Sequence, residues 1–214
     1  LCGFEVLGVM CSPIEGGDGN REYLACLVKK EGQVAPFEDA NNSIKQLCKD
    51  TLLTLGVFQK GTSRIYIDDN GYFFTVIEFQ PSGVAKGTYL NIALHFLWNE
   101  RDYFSFDFPF GADIRIKNFV EYQNDEQFTR EVTKYVQEAS KQVMFYRKLQ
   151  DIETAKSYVK KWLRKHKGNP RIDELNTINH LHDEEVLQRI KQTRAFWRSK
   201  PSMKKMKNYD TFDV

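Results

Sequence analysis

SRIYIDDNGYFFTVIEFQ, residues 63–80, holds two β-prone runs, SRIYID (63–68) and YFFTVIEFQ (72–80), on either side of Asp69-Asn70-Gly71. Asn-Gly between such runs signals a tight hairpin, because both central turn positions favour positive φ. Downstream, QPSGVAKG (80–87) reads as a loop. TYLNIALHFLW (88–98) then alternates as a strand does, with Leu90, Ile92, Leu94, Phe96 and Trp98 on one face and Tyr89, Asn91, Ala93, His95 and Leu97 on the other. YFSFDF (103–108) repeats the pattern, setting Phe104, Phe106 and Phe108 against Tyr103, Ser105 and Asp107, and ADIRIKNFVEY (112–122) reads as one more strand. Short runs joined by hairpins imply an antiparallel sheet with one buried face.

Helices flank this block. Upstream, Ile44, Leu47, Cys48, Thr51 and Leu55 fall on one face of a helix starting at Asn42 or Ser43 and stopping at Gly56. After Tyr122 the period changes from two to about 3.6. Asn124 with Gln127 forms a capping box for Phe128, Val132, Tyr135, Val136, Ala139, Val143 and Tyr146. Asp151 caps a second helix with Ile152, Ala155, Val159, Trp162, Leu163 and His166 inward, stopped by Gly168-Asn169-Pro170. A short helix is expected around 172–180. A last one runs from about Asp183, with Val186, Leu187, Ile190, Arg194 and Trp197 on one side, and ends before Pro201. Strands followed by helices rather than alternating with them argue an α+β fold. At the start of the chain, FEVLGVM (4–10) and EYLACLV (22–28) form a further apolar strand pair joined by a loop holding Gly16, Gly17 and Gly19. The organisation expected is therefore a strand pair over 1–32, an α+β domain over 33–201 and a flexible tail over 202–214.

Composition narrows the class. The chain has 214 residues, 41% hydrophobic and 14% aromatic, which excludes disordered and low-complexity classes. No apolar run approaches the ~20 residues that cross a bilayer, and no charged segment leads into an apolar one as in a secretory leader. Leu1 in first position suggests a chain that begins inside a longer reading frame or after processing. Cys2, Cys11, Cys26 and Cys48 make no C-x-x-C pair, so reduced, mostly buried thiols of a cytoplasmic protein are expected and a zinc site is not. The net charge of +2 conceals a split. Residues 1–122 carry 11 basic against 16 acidic side chains, net −5, and residues 123–214 carry 20 against 13, net +7. That places any contact with a polyanion in the helical half.

GFEVLGVMCSPIEGGDGNREYLACLVKK (3–30) follows the pattern G-F-x-V-x-G-V-x-x-S-P-I-x-G-x-x-G-N-x-E-Y-L. It resembles the C-terminal end of the hemolysin-type, TlyA-like ribosomal RNA 2′-O-methyltransferases. The resemblance implies the last antiparallel strand pair of a Rossmann-like sheet. In the broader FtsJ-like group a Lys-Asp-Lys-Glu set does the chemistry, and Glu22 is similar to its final Glu. The other three members, the Gly-rich S-adenosylmethionine loop and the acidic ribose ligand lie upstream in such enzymes. The resemblance therefore implies no complete active site in this chain, and S-adenosylmethionine only where a methyltransferase domain precedes it. Residues 43–150 resemble an uncharacterised bacterial family of small α+β proteins, through Leu55-Gly56, Gln80-Pro81-Ser82-Gly83, Lys86-Gly87-Thr88-Tyr89-Leu90-Asn91 and Phe96-Leu97-Trp98.

Other candidates come from side-chain chemistry. SGVAKGT (82–88) departs from a phosphate-binding loop, since Lys86 precedes Gly87 and a strand follows. At most it offers Lys86 and Ser82 to an anion. His180 and His182 beside Asp183 and Glu184 lack a third distant ligand, and a solvated helix start is the favoured reading. The basic segments 156–171 and 186–207 contain no acidic residue. Lys160, Lys161, Arg164 and Lys165 are the side chains expected to meet phosphates. The leading expectation is a non-enzymatic intracellular binding module attached to a remnant of a hemolysin-type RNA methyltransferase, with a protein partner. The alternative is an RNA-associated protein acting through its basic C-terminal helices. A third reading places a small-molecule enzyme in a cleft around His95, Tyr89 and Gln80.

Overall fold

Five strands follow one another as an antiparallel meander in the computed structural model, which describes residues 4–15, 21–29, 36–109, 111–166 and 175–207. They are β3 (Phe58–Gln59), β4 (Ile65–Asp69), β5 (Phe73–Gln80), β6 (Gly87–Phe96) and β7 (Arg115–Glu121), neighbours in that order. Ahead of them, β1 (Phe4–Glu15) and β2 (Arg21–Lys29) pair, among the described residues, only with each other. The helices are α1 (Pro36–Asp50), α2 (Asp125–Arg147), α3 (Ile152–Lys165) and α4 (Glu184–Ser199). The α+β class expected from the sequence is the one observed.

The β4–β5 hairpin forms where Asn-Gly is found, with its tip displaced by one residue. Asp69 lies opposite Phe74, and the Asn70 N–H donates to the Phe73 carbonyl at 3.0 Å, which leaves Gly71 and Tyr72 at the tip. Only Gly71 has positive φ, at 91°. Asn70 is held in the ladder by its own side chain. Its Nδ2 donates to the Asp68 carbonyl and to Thr75 Oγ1, and its Oδ1 accepts from Gln150.

The expectation of one buried face is overturned, because the sheet is a middle layer. Residues of both parities on β5 are buried: Phe73, Val76, Ile77 and Phe79 all fall at or below 1% exposure. Each such side chain contributes about 1.5–3 kcal/mol by leaving water. One face packs on α1 and α2. The stripe Phe128, Val132, Tyr135, Val136, Ala139, Val143 and Tyr146 is buried as its spacing predicts, behind an Asn124 cap that accepts from the Gln127 N–H at 2.9 Å. The other face is covered at one end by α4 and by the extended segment 101–108. Trp197 of α4 stacks on Phe104 at 4.3 Å and meets His95 edge-on.

Two consecutive aspartates tie the three layers together. Asp68 and Asp69 point to opposite faces of β4 and are both fully buried. Arg147 of α2 donates to both Asp68 oxygens at 2.9 and 2.6 Å, and Arg194 of α4 donates to both Asp69 oxygens at 2.6 and 2.7 Å. Each helix is thus fixed by a forked pair that neutralises one buried carboxylate.

Several boundaries depart from the sequence reading. α1 begins at Pro36 and ends at Asp50. A 3₁₀ turn over Leu53–Leu55 then closes on Gly56 at φ 82°. Residues 103–108 do not form a strand: the segment touches β6 through one bridge, Leu94 to Phe108, because Ser105 and Asp107 turn inward. Of the short helix expected around 172–180, the described residues show helical Leu175 and Asn176 running into a 3₁₀ turn over Thr177–His180, and the Gly168-Asn169-Pro170 stop lies outside the described residues. Residues 202–207, expected in a flexible tail, are docked. Met203 and Met206 are buried, and the Lys207 carbonyl accepts from Arg194 and Arg198. No helix among the described residues is long and apolar enough to cross a membrane.

Candidate functional site

The second face of the sheet carries two polar clusters, one at each end of β6. At the end covered by α4, His95 Nδ1 lies 2.9 Å from Ser105 Oγ and 3.5 Å from Asp107 Oδ2. All three side chains are buried, His95 and Asp107 completely. Asp107 also accepts from the Phe96 N–H at 2.8 Å and from Arg101 at 3.3 Å. Burial alone would raise the Asp107 carboxyl. Hydrogen bonding and charge from His95, with the Phe96 N–H and Ser105, outweigh it and hold the group below the usual carboxylate value. Serine, histidine and aspartate are the members of a nucleophilic triad, yet here hydroxyl and carboxylate converge on the same ring nitrogen. A triad needs the acid on one nitrogen and the nucleophile on the other. Nε2 has no hydrogen-bond partner among the described residues and is walled by Phe104 and Trp197. The cluster is sealed beneath α4 and residues 101–108, so His95 does not open on a cleft.

At the uncovered end the same face forms an open cleft of about 530 Å³, lined by Glu78, Gln80, Asn91, Phe106, Ile114 and Arg115 among others. Strand alternation brings the polar residues together. Glu78 is opposite Asn91 across β5 and β6, Gln80 is two residues along β5, and Asn91 is opposite Arg115 across β6 and β7. Asn91 Nδ2 donates to Glu78 Oε2 at 3.0 Å and to Gln80 Oε1 at 2.9 Å. Arg115 donates to Gln80 Oε1 at 2.9 Å and to Asn91 Oδ1 at 3.4 Å, and its guanidinium lies 3.8 Å over the Tyr89 ring. This chain of bonds sets which way both amides point. Of the residues named for a small-molecule cleft, Gln80 lines it and Tyr89 supports it from beneath, while His95 is sealed at the far end. Glu78 and Arg115 had no motif to reveal them, and Asn91 stood in the Lys86–Asn91 run with no role assigned to it. The available signal was polar residues at alternate positions of otherwise apolar strands.

The other expected site residues lie apart. Glu22 is in β2, separate from the five-stranded sheet, and its side chain is outside the described residues. Lys160, Lys161, Arg164 and Lys165 lie together on the last turns of α3 and have no acidic partner among the described residues. Lys160 and Arg164 join Lys156 in lining a groove of about 790 Å³ between α3 and residues 175–179. The arginines of the second basic segment are engaged: Arg194 is buried on Asp69, Arg189 pairs with Glu185, and Arg198 caps the Lys207 carbonyl.

The remaining candidates are structural. Ser82 Oγ accepts from the Val84 and Ala85 N–H groups, so its hydroxyl serves the turn. Gly87, at φ 150°, is required because a Cβ there would overlap the Val120 carbonyl oxygen and the Phe119 ring. His180 Nδ1 lies 3.0 Å from Asp183 Oδ2 on the surface, and no group of three metal-capable side chains occurs among the described residues. Cys48 is buried and free, its thiol pushed up to about 12 by burial against the opposing influence of the Tyr66 hydroxyl. Cys26 is exposed, and the side chains of Cys2 and Cys11 lie outside the described residues.

S-adenosylmethionine would need a Gly-rich turn from a parallel strand into a helix, with an acidic ribose ligand beyond it. The five-stranded sheet is antiparallel throughout, and among the described residues no strand enters a helix through such a turn. No family model, curated protein or solved structure matches the chain.

Proposed function

We propose that the chain is a binding module of a hemolysin-type RNA methyltransferase assembly, with β1 and β2 serving as strands of the methyltransferase sheet and residues 36–207 forming the module. The observation that carries this reading is the surface of the strand pair. Val6, Leu7, Val9 and Met10 on β1 are 58–63% exposed, and Tyr23 on β2 is 64% exposed. Val9 and Met10 are successive and point to opposite sides, so both faces of the pair present apolar surface. An isolated two-stranded ribbon is marginal in water, and strands apolar on both faces belong in a sheet covered on both sides. That is the setting of the last strand pair in a Rossmann-like sheet, which the G-N-x-E-Y pattern around Glu22 resembles. Catalysis belongs in this reading to the domain that supplies the rest of the sheet. The full chain, mixed with a hemolysin-type methyltransferase truncated before its last strand pair, is expected to form a 1:1 complex in which β1 and β2 amides gain protection from hydrogen exchange. A chain that stays monomeric with those amides unprotected overturns the reading, as does micromolar affinity for S-adenosylmethionine in the chain alone.

A second reading, RNA association through α3, is favoured by the groove that Lys156, Lys160 and Arg164 line, with Lys161 and Lys165 beside it. Arg can grip phosphate with paired donors, and Lys acts as a point charge. Affinity for structured ribosomal RNA is then expected to fall steeply with salt. Charge reversal at Lys160, Lys161, Arg164 and Lys165 together should reduce the slope of log K against log salt by about 3. An unchanged slope removes the reading.

A further inference from the structure

We infer that the open cleft on β5, β6 and β7 binds a small zwitterion of amino-acid type, with its carboxylate on Arg115 and Gln80 and its ammonium group on Glu78. This site is independent of the strand pair and of α3, and stands whether or not either engages a partner. The inference comes from how the charges are arranged. Glu78 and Arg115 line one cleft, yet neither is ion-paired with the other or with any other residue among those described. They stand on β5 and β7, two strand spacings or roughly 10 Å apart at the backbone, with Asn91 of β6 between them. Amide groups hold the opposite charges apart: Asn91 bridges Glu78 to Gln80, and Gln80 and Asn91 both accept from Arg115.

The cluster is set up in advance of a ligand. A surface arginine ordinarily samples many rotamers, but Arg115 is held by two acceptors and by the Tyr89 ring at 3.8 Å. Asn91 is 5% exposed and uses both ends of its amide inside the cluster. The groups left over are complementary in kind. Arg115 has used only two of its five N–H donors, and Gln80 Nε2 has no partner among the described residues. Glu78 has one carboxylate oxygen unbonded. Donors therefore remain beside the cation and an acceptor beside the anion, across a cleft whose 530 Å³ is in the range of small-ligand sites. A simple anion would leave Glu78 unused and opposed, and a simple cation would leave Arg115 so. A molecule with one ammonium and one carboxylate uses both, and Phe106 and Ile114 offer apolar surface to its side chain.

The test is calorimetry on the full chain with each of the standard L-amino acids at millimolar concentration. Saturable binding of at least one is expected. Its N-acetyl and its carboxamide forms should each bind at least about tenfold more weakly, as should the free amino acid to Glu78→Gln and Arg115→Gln, since a hydrogen bond to a charged group is worth that factor or more. The two variants should keep the circular dichroism spectrum and melting temperature of the parent. Absence of saturable binding for every amino acid overturns the inference. So does blocked ligand that binds as well as free ligand, or binding unchanged in both folded variants.

Discussion

Asn91 and His95 stand on the same face of β6, four residues apart, and their surroundings differ in one respect: α4 and residues 101–108 cover His95 and leave Asn91 open. Under the cover, polar groups are turned on one another. Ser105 and Asp107 both reach His95 Nδ1, Asp107 also takes the Phe96 N–H and Arg101, and Asp69 is consumed by Arg194. At the open end the same alternation places Glu78, Gln80, Asn91 and Arg115, but their network closes with donors and an acceptor to spare. Burial makes an unmatched polar group costly, so a covered cluster is driven towards internal completeness, while an uncovered one can keep capacity for a ligand. The residue types are similar; the layer above them separates structure from site.

Mutations at the two ends should therefore differ in what they disturb. The largest effect is expected at the covered end, in Arg194→Met, which leaves Asp69 buried without its forked partner. Urea unfolding should show a loss of about 3–5 kcal/mol. A loss below 1 kcal/mol would mean that α4 does not depend on this pair.

Next in size is Asp107→Asn, with an expected loss of about 1–3 kcal/mol at neutral pH. The sign of its pH dependence is set by the depressed folded value. A carboxyl lower in the folded than the unfolded state contributes stability that is complete above its ordinary value near 3.8. That contribution disappears as pH falls through the folded value. The parent should lose stability below about pH 4 more steeply than Asp107→Asn, and parallel stability curves for the two proteins would contradict this.

The smallest stability effect is expected at the open end. Glu78→Gln and Arg115→Gln should unfold within about 0.5 kcal/mol of the parent, because Arg115 is exposed, Glu78 is only half-buried, and glutamine leaves a polar group at each position. A loss as large as that of Asp107→Asn at either position would erase the distinction between the two ends. The thiols provide a further contrast: Cys26 should react with a thiol reagent in the folded protein, while buried Cys48, with its raised pKa, should react only after unfolding.

Local rules were enough for much of the fold. The α2 stripe is buried at every position its spacing marks, Asn124 and Asp151 cap as their types suggest, and Gly56 closes its turn in the left-handed region. The failures share a cause in long-range pairing. Asp69 and Asn70 look like turn residues, but Arg194 binds Asp69 from 125 positions away and Gln150 holds Asn70 from 80 away, so both remain in the ladder. Ser105 and Asp107 look like the solvent side of a strand until His95 turns them inward. Residues 202–207 look like a polar tail until Met203 and Met206 are buried and Lys207 meets two arginines. The cleft was half legible. Tyr89 and Asn91 were marked by the alternation and Gln80 by its place next to the loop, but Arg115 lies in a strand that pairs with β6 only through a shifted register.

From its sequence alone this protein had already determined an antiparallel sheet followed by helices, the positions of most caps, and a basic C-terminal half set against an acidic front. Those properties follow from periodicities and side-chain types within a few residues of one another. Only the tertiary structure decided that the sheet has helices on both faces, that Asp68 and Asp69 are core ion pairs, and that His95 is sealed while Asn91 opens on a cleft. Each of these depends on which distant element covers a given strand position. Burial, which sets whether a polar side chain must be satisfied internally or can await a ligand, is decided there.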